Sequence, residues 1–199
     1  VNTTTKDFPL RFITFVACLL LSVSSSLAQQ DNNKQPGPRQ SAICRFSDGK
    51  TVKTEYLSQR RMGQKLFGES VPYGEVWRPS ANAATTFVTD SDLNVDDQEV
   101  PAGSYALFAI PAVDRWTLII SKKTDESTPY SRNQDLLRVG MKVAKTADPV
   151  ENFTIAYFLK DGKCTLKMTW ENTEASVDVA EKKLCWPTTT PLTYQCADQ

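Results

Sequence analysis

The chain has 199 residues, 23 basic and 23 acidic side chains, a formal net charge of +0 and no histidine. Balanced charge offers nothing for nucleic acid or an anionic membrane surface to recognise. The missing histidine removes Ser-His-Asp and Cys-His catalysis and every histidine-based zinc, copper or non-haem iron site, so neither a metal nor another cofactor is expected.

The first residues read as an address. Lys6 and Arg11 precede an apolar run from Phe12 to Val23, and Ser26 and Ala28 stand at the small-residue positions of a cleavage site. This order of basic, apolar and small residues predicts a secretory signal peptide over residues 1–28. A membrane-spanning helix needs ~20 apolar residues and this run is shorter, so no membrane span is expected after cleavage. Cys18 sits inside the run rather than closing it, as a lipid-bearing cysteine should. Cleavage also removes Lys6, Asp7 and Arg11 and leaves one acid in excess. Residues 29–40, QQDNNKQPGPRQ, are polar and broken by proline and glycine, which predicts a flexible lead. Residues 41–180 then form one domain and 181–199 a tail. Such a protein is expected to be exported, either periplasmic or secreted.

From residue 41 onward a period of two dominates. SDGK at 47–50 places an Asp-Gly turn between two extended segments, and Asp-Gly tolerates the positive φ of tight hairpins. VDDQ at 95–98 and PAGS at 101–104 are further turns, and the uniformly apolar SYALFAI and WTLII read as central strands. RVGMKV puts Val139, Met141 and Val143 on one face, and NFTIAYFL does so with Phe153, Ile155, Tyr157 and Leu159. After a KDGK turn, CTLKMTW aligns Cys164, Leu166, Met168 and Trp170, and ASVDV aligns Ala175, Val177 and Val179. Alternation over runs this short predicts about nine or ten half-buried strands. With frequent hairpins and no amphipathic helix, the fold class is all-β. A single-domain antiparallel β-sandwich is expected, with jelly-roll order as one option.

Residues 58–83 break the pattern. Loops above ~12–15 residues are uncommon and usually functional or disordered, and this one carries Leu66, Phe67, Val71, Tyr73, Val76 and Trp77. That is too apolar for disorder, so the loop should fold back on the strands, with a short helical turn near 64–67. Within it Trp77 offers a flat apolar face and Arg78 a planar fork for a carboxylate or phosphate. Tyr73, Asn82 and Thr85 add hydrogen-bonding groups, the mixture of a small-ligand pocket. The opposing account makes Tyr73 and Trp77 a plug, with Arg78 paired to an acid such as Glu55 or Glu75.

Other constellations have simpler explanations. Ser47 and Lys50 match the Ser-x-x-Lys nucleophile motif, but a hairpin tip does not supply the helix start that this chemistry needs. The acids of DSDLNVDDQE resemble a calcium loop, yet Val95 and Pro101 stand where an EF-hand needs glycine and glutamate. Glu69 and Glu75 could form a carboxylate pair for glycoside hydrolysis. Asn152 heads a glycosylation sequon inside a predicted strand. Removing Cys18 leaves Cys44, Cys164, Cys185 and Cys196, which permit three pairings. Export favours disulfides, and Cys44–Cys164 with Cys185–Cys196 is preferred, because a local bridge would tie down CWPTTTPLTYQC. A four-thiolate zinc site lacks the Cys-x-x-Cys pair that would seed it.

KLFGESVPYGEVWRPSANAATTFVTDSDL, VPAGSYALFAIP, WTLIISKKT, PVENFTIAYF and LKMTWENTEASVDV together resemble the bacterial domain-of-unknown-function family 2911 over residues 43–179. The resemblance implies an exported, β-rich protein and carries over no activity. Members often have a Trp-Gly pair after the strand matched by WTLIISKKT; this chain reads DESTPYSRNQD there, keeping Tyr130 but lacking that pair. If the pair helps form a ligand site, the resemblance implies an altered site here. The chain is thus read as a non-catalytic exported protein that binds a small ligand, a glycan or an envelope protein through segment 73–85. A carboxylate-dependent hydrolase and a purely structural interaction domain are the alternatives.

Overall fold

Alternating residues become strands, but two of the segments fuse into strands far longer than the sequence suggests. The computed structural model describes residues 37–80, 83–122, 130–187 and 194–197, with the isolated positions 2 and 124; of 184–187 and 194–197 it describes the backbone alone. Apart from position 2, the expected signal peptide with Cys18 and the lead up to residue 36 lie outside the described residues. No helix among the described residues is long and apolar enough to cross a membrane.

Nine strands are β1 (Arg39–Arg45), β2 (Thr51–Leu57), β3 (Thr85–Thr89), β4 (Leu93–Val95), β5 (Gln98–Val100), β6 (Gly103–Ile110), β7 (Arg115–Ser121), β8 (Asp135–Lys160) and β9 (Lys163–Glu181). They form one antiparallel sheet in the order β1-β2-β3-β6-β7-β8-β9-β4-β5. A separate hairpin joins β10 (Leu184–Pro187) to β11 (Tyr194–Ala197). A single 3-10 turn at Arg132–Gln134 is the helical element among the described residues.

The all-β antiparallel expectation holds; the two stacked sheets do not form as separate sheets. RVGMKV and NFTIAYFL both belong to the 26-residue β8, and CTLKMTW and ASVDV to the 19-residue β9. Register shifts between Lys145 and Val150 and between Val150 and Thr154 bend this ribbon without breaking its pairing, as bulges do. Glu171, at φ 54°, marks the corner on β9. The two arms of β9 then meet: Thr165 Oγ1 donates to Asp178 Oδ1 at 2.7 Å, and Lys167 Nζ to Glu174 Oε1 at 2.7 Å. One sheet therefore folds over its own interior and does the work of two.

Chain connectivity requires that curl. β3 and β4 stand five places apart in the sheet. In a flat sheet that would be about 24 Å at ~4.8 Å per strand, whereas the link from Thr89 to Leu93 reaches about 14 Å when fully extended. The order is a meander whose β4–β5 hairpin is placed on the far edge beside β9, not a jelly roll.

The folded-back part of the ribbon is fastened to β1 and β2. Tyr56 Oη accepts the Ile155 N–H at 3.0 Å, Ser58 Oγ donates to the Phe153 carbonyl at 2.8 Å, and the Phe153 N–H donates to the Gln59 carbonyl at 2.7 Å. Thr54 Oγ1 and Tyr157 Oη share a 2.7 Å hydrogen bond, and burial pushes the Tyr157 phenol well up, so it stays neutral. A disulfide joins Cys44 on β1 to Cys164 on β9 across 120 residues. Enclosed between these layers are Phe87, Leu107, Trp116, Leu118, Ile120, Met141, Phe153, Leu166 and Met168. Leu159, placed by alternation on the face of Phe153 and Ile155, is 55% exposed because the ribbon tip extends beyond the interior it covers.

Candidate functional site

The long loop is a plug first. Leu66, Phe67 and Val71 are buried, held in a hydrogen-bonded turn in which the Val71 N–H reaches the Leu66 carbonyl at 2.9 Å. This turn replaces the helical one expected near 64–67. Glu171, at the corner of β9, points its carboxylate at the turn: Oε2 accepts the N–H groups of Leu66 (3.2 Å) and Phe67 (3.3 Å). Phe67 then enters an aromatic set with Trp77, Trp116 and Trp170, at centroid distances of 6.1, 4.9 and 6.4 Å. Trp77 stacks on Trp170 at 6.0 Å and meets Phe153 edge-on at 5.4 Å. Five large rings thus close one end of the interior, with the offset and edge-to-face geometries that aromatic quadrupoles favour.

Arg78 goes the other way. The Trp77 N–H donates to the Ala109 carbonyl at 2.7 Å and the Ala109 N–H returns to Trp77 at 2.9 Å, so the loop runs briefly as a strand beside β6. Strand side chains alternate. Trp77 shares the inner face with Ala109, and Arg78 shares the outer face with Phe108, its guanidinium 5.6 Å from that ring. Trp77 and Arg78 therefore cannot form one pocket, and the expected pairing of the two is corrected.

On the outer face Phe108, Ala106 and Ile119 are buried as a second apolar cluster, with Ile110 and Tyr130 packed against it. Tyr130 meets the Phe108 ring edge-on at 5.1 Å. Its hydroxyl donates to Asp135 Oδ2 at 2.7 Å, the same oxygen accepts Arg138 Nε at 2.7 Å, and an Arg138 Nη2–H also donates to the Tyr130 oxygen. Burial, reinforced by the Asp135 hydrogen bond, pushes the Tyr130 phenol up, and the Asp135 hydrogen bond raises Arg138. The group thus presents a neutral hydroxyl and a charged guanidinium beside the Asp135 carboxyl. Asp135 Oδ1 is buried and has no hydrogen-bond partner among the described residues, and such a group calls for a specific explanation.

Of the residues singled out in the sequence, Arg78 and Tyr130 are brought together over Phe108, and the rest are not. Trp77 belongs to the interior. Tyr73 is exposed and lies against Gly68. Thr85 is fully buried and its hydroxyl donates to the Pro79 carbonyl at 3.3 Å, a structural role. Asn82, and residues 125–129 where the Trp-Gly pair would fall, lie outside the described residues. Phe108, Asp135 and Arg138 were missed. SYALFAI, apolar on both faces, signals a strand buried on both sides, and SRNQDLLR sets an acid three residues before an arginine.

The remaining motifs resolve into structure. Glu69 is exposed and 3.6 Å from Lys65, and Glu75 is exposed; neither has the apolar enclosure that tunes a catalytic carboxyl. Asp48 Oδ1 accepts the Lys50 N–H at 2.9 Å in a hairpin tip. Asp90 receives the Thr51 N–H and hydroxyl, Asp92 receives the Ala102 N–H, and Asp96 and Asp97 supply the positive φ of the β4–β5 turn. Cys185 stands opposite Cys196 in the β10–β11 register.

No curated protein and no solved structure matches the chain. One family model does, over residues 37–179, carrying the buried plug, the outer-face cluster and every strand of the nine-stranded sheet up to the last turn of β9. The chain belongs to the family described as protein of unknown function, DUF2911.

Proposed function

We propose that this is an exported, non-catalytic binding protein whose ligand, a glycan or another hydroxyl-rich molecule, is held on the outer face of β6–β8 by Arg78, Tyr130, Asp135 and Arg138. The observation that carries the reading is the convergence of Arg78 and the Tyr130–Asp135–Arg138 group on one buried ring, Phe108, away from the main interior. Sugar hydroxyls need both donors and acceptors. Arg78 and Arg138 carry guanidinium donors, and Asp135 Oδ1, buried without a hydrogen-bond partner among the described residues, supplies an acceptor. Export is supported by the basic–apolar–small order of residues 1–28 and by the Cys44–Cys164 disulfide, a bond that persists in oxidising compartments.

A glycan and metabolite binding screen tests this. A ligand should emerge whose affinity falls at least about tenfold in Arg78→Ala and in Asp135→Asn, the loss of one charge-assisted contact. A ligand bound equally well by wild type and both variants would place the site elsewhere. A filled plug with no binder at all would favour the second reading, a structural envelope domain, which the packing of Leu66, Phe67 and Trp77 already suits.

A further inference from the structure

The same outer face carries a second arrangement, independent of Arg78. Arg115 on β7 and Lys142 on β8 are direct cross-strand partners, and Lys142 is in turn opposite Ser176 on β9. Like charges placed directly opposite are destabilising. No carboxylate stands within ion-pair distance of either cation: among the described residues neither Arg115 nor Lys142 has an ion-pair or hydrogen-bond partner for its side chain. The two cations line a cleft of about 300 Å³ with Asp96, Gly140, Thr165, Ser176, Val177 and Asp178.

Gly140 is the second observation. The Nε–Nη2 edge of the Arg115 guanidinium closes on it: a Cβ there would sit 2.1 Å from Nε, 2.3 Å from Nη2 and 2.6 Å from Cζ. Gly140 is not in a left-handed conformation, so the backbone gives no reason for glycine. Close approach of the guanidinium does. The chain keeps a flexible residue in mid-strand, where glycine is unfavourable relative to alanine, and thereby seats the Arg115 guanidinium in the cleft.

We infer that this cleft binds a carboxylate-bearing sugar unit. The remaining guanidinium donors of Arg115, with the Lys142 ammonium beside them, suit a carboxylate. Across the cleft Asp96 and Asp178 accept hydrogen bonds, and Thr165, which already donates to Asp178 Oδ1 at 2.7 Å, fixes that carboxylate. Ser176 adds a hydroxyl. An all-anionic ligand would be repelled by the two aspartates and a neutral one would leave the cations unmatched. An apolar ligand would find no aliphatic side chain among these residues but Val177, which belongs to the buried interior. A ring with one carboxylate and several hydroxyls satisfies both walls.

Isothermal titration of the exported protein with D-glucuronate and D-galacturonate, against D-glucose and inorganic phosphate, tests the assignment. Saturable binding of a uronate is expected, at least about tenfold tighter than glucose or phosphate, one charge-assisted contact being worth that factor. Arg115→Ala should weaken it about tenfold or more. Gly140→Ala should do the same while keeping every charge, and Lys160→Ala, at the exposed tip of the β8–β9 ribbon, should leave it unchanged. Arg115 is exposed and unpartnered, so its variant folds even where Gly140→Ala does not. No saturable uronate binding, equal binding of phosphate or glucose, or indifference to Arg115→Ala would each overturn the inference. Loss in Arg78→Ala alone would assign the sugar to the Phe108 site instead.

Discussion

Trp77 and Arg78 are neighbours in the chain and lie on opposite faces of one sheet. Trp77 meets four other rings in the interior, at 5.4–6.1 Å; Arg78 covers Phe108 on the outside. Both follow from a single β-bridge to Ala109, because adjacent strand residues must part. The inner side is dominated by rings, aliphatic chains and a disulfide, with polar groups tied to backbone. The outer side places guanidinium groups, a phenol and carboxylates on a thin apolar layer. Inner-side changes should therefore cost stability, and outer-side changes should cost binding.

The largest expected effect is on the inner side. The Cys44–Cys164 bridge closes 120 residues and ties the edge strand β1 to the folded-back arm of β9. In the chain-entropy account a loop of that length contributes about 5 kcal/mol. Replacing both cysteines with alanine should lower the unfolding free energy by about that much, measured in urea under non-reducing conditions. A loss below about 1 kcal/mol would mean that the unfolded chain keeps these strands close without the bond.

Next comes the direct contrast. Trp77→Ala removes a ring from the aromatic set and should destabilise by about 3–5 kcal/mol, as truncation of buried aromatics does. Arg78→Ala removes a cation over one ring and should cost roughly 0.5–1 kcal/mol. Denaturation midpoints of the two variants, measured side by side, put the whole argument at risk. Equal losses would show that the two faces are not energetically distinct.

Much of the inner side could be read in advance, and little of the outer side could. Cys164, Leu166, Met168 and Trp170 are buried as their alternation demands, because burying one face of a strand leaves a period-two imprint. The plug was legible for a similar reason, since Leu66, Phe67 and Val71 had to be sheltered somewhere. The bends in β8 and β9 were not. A bulge inserts a residue without altering composition, so RVGMKV and NFTIAYFL look like separate strands. Nor was the partnership of Arg115 with Gly140, which are 25 positions apart and meet through the β7–β8 register. Contacts set by register leave no local trace.

A smaller effect sharpens the inner side. Tyr56 is buried, and its hydroxyl accepts the Ile155 N–H at 3.0 Å while donating to the Ile155 carbonyl at 3.4 Å. It replaces the ladder pairing that a continuing strand would have supplied. Tyr56→Phe keeps the ring on Phe153 and strands both backbone groups, so a loss of about 1–3 kcal/mol is expected. Hydrogen exchange of the Ile155 amide should accelerate with it. An unchanged exchange rate would show that the amide has another partner.

The smallest effect is one of pH, at the corner where the ribbon turns back. Glu151 accepts Arg61 Nε at 3.1 Å and Arg60 Nε at 3.3 Å, and its carbonyl receives the Trp170 Nε1–H at 3.2 Å. Burial works to raise its carboxyl, but the hydrogen bonds from Arg61, the Met62 backbone and Arg60 outweigh it and hold the group below its ordinary value near 4.5. A carboxyl depressed in the folded state stabilises above its unfolded pKa, and that contribution is lost as pH falls through the folded one. Glu151→Gln, which cannot ionise, should therefore melt lower than wild type at neutral pH, with the gap narrowing below about pH 4.5 as the wild-type carboxylate takes up its proton. The Arg60–Arg61 clamp fastens the start of the plug loop to the bend in β8, so the narrowing reports on how the plug is anchored. Uronate or glycan binding on the outer face, measured on the same variant at neutral pH, should not move with it. A gap that stays constant with pH would mean that the glutamate acts through shape rather than charge, and that the clamp is not ionic.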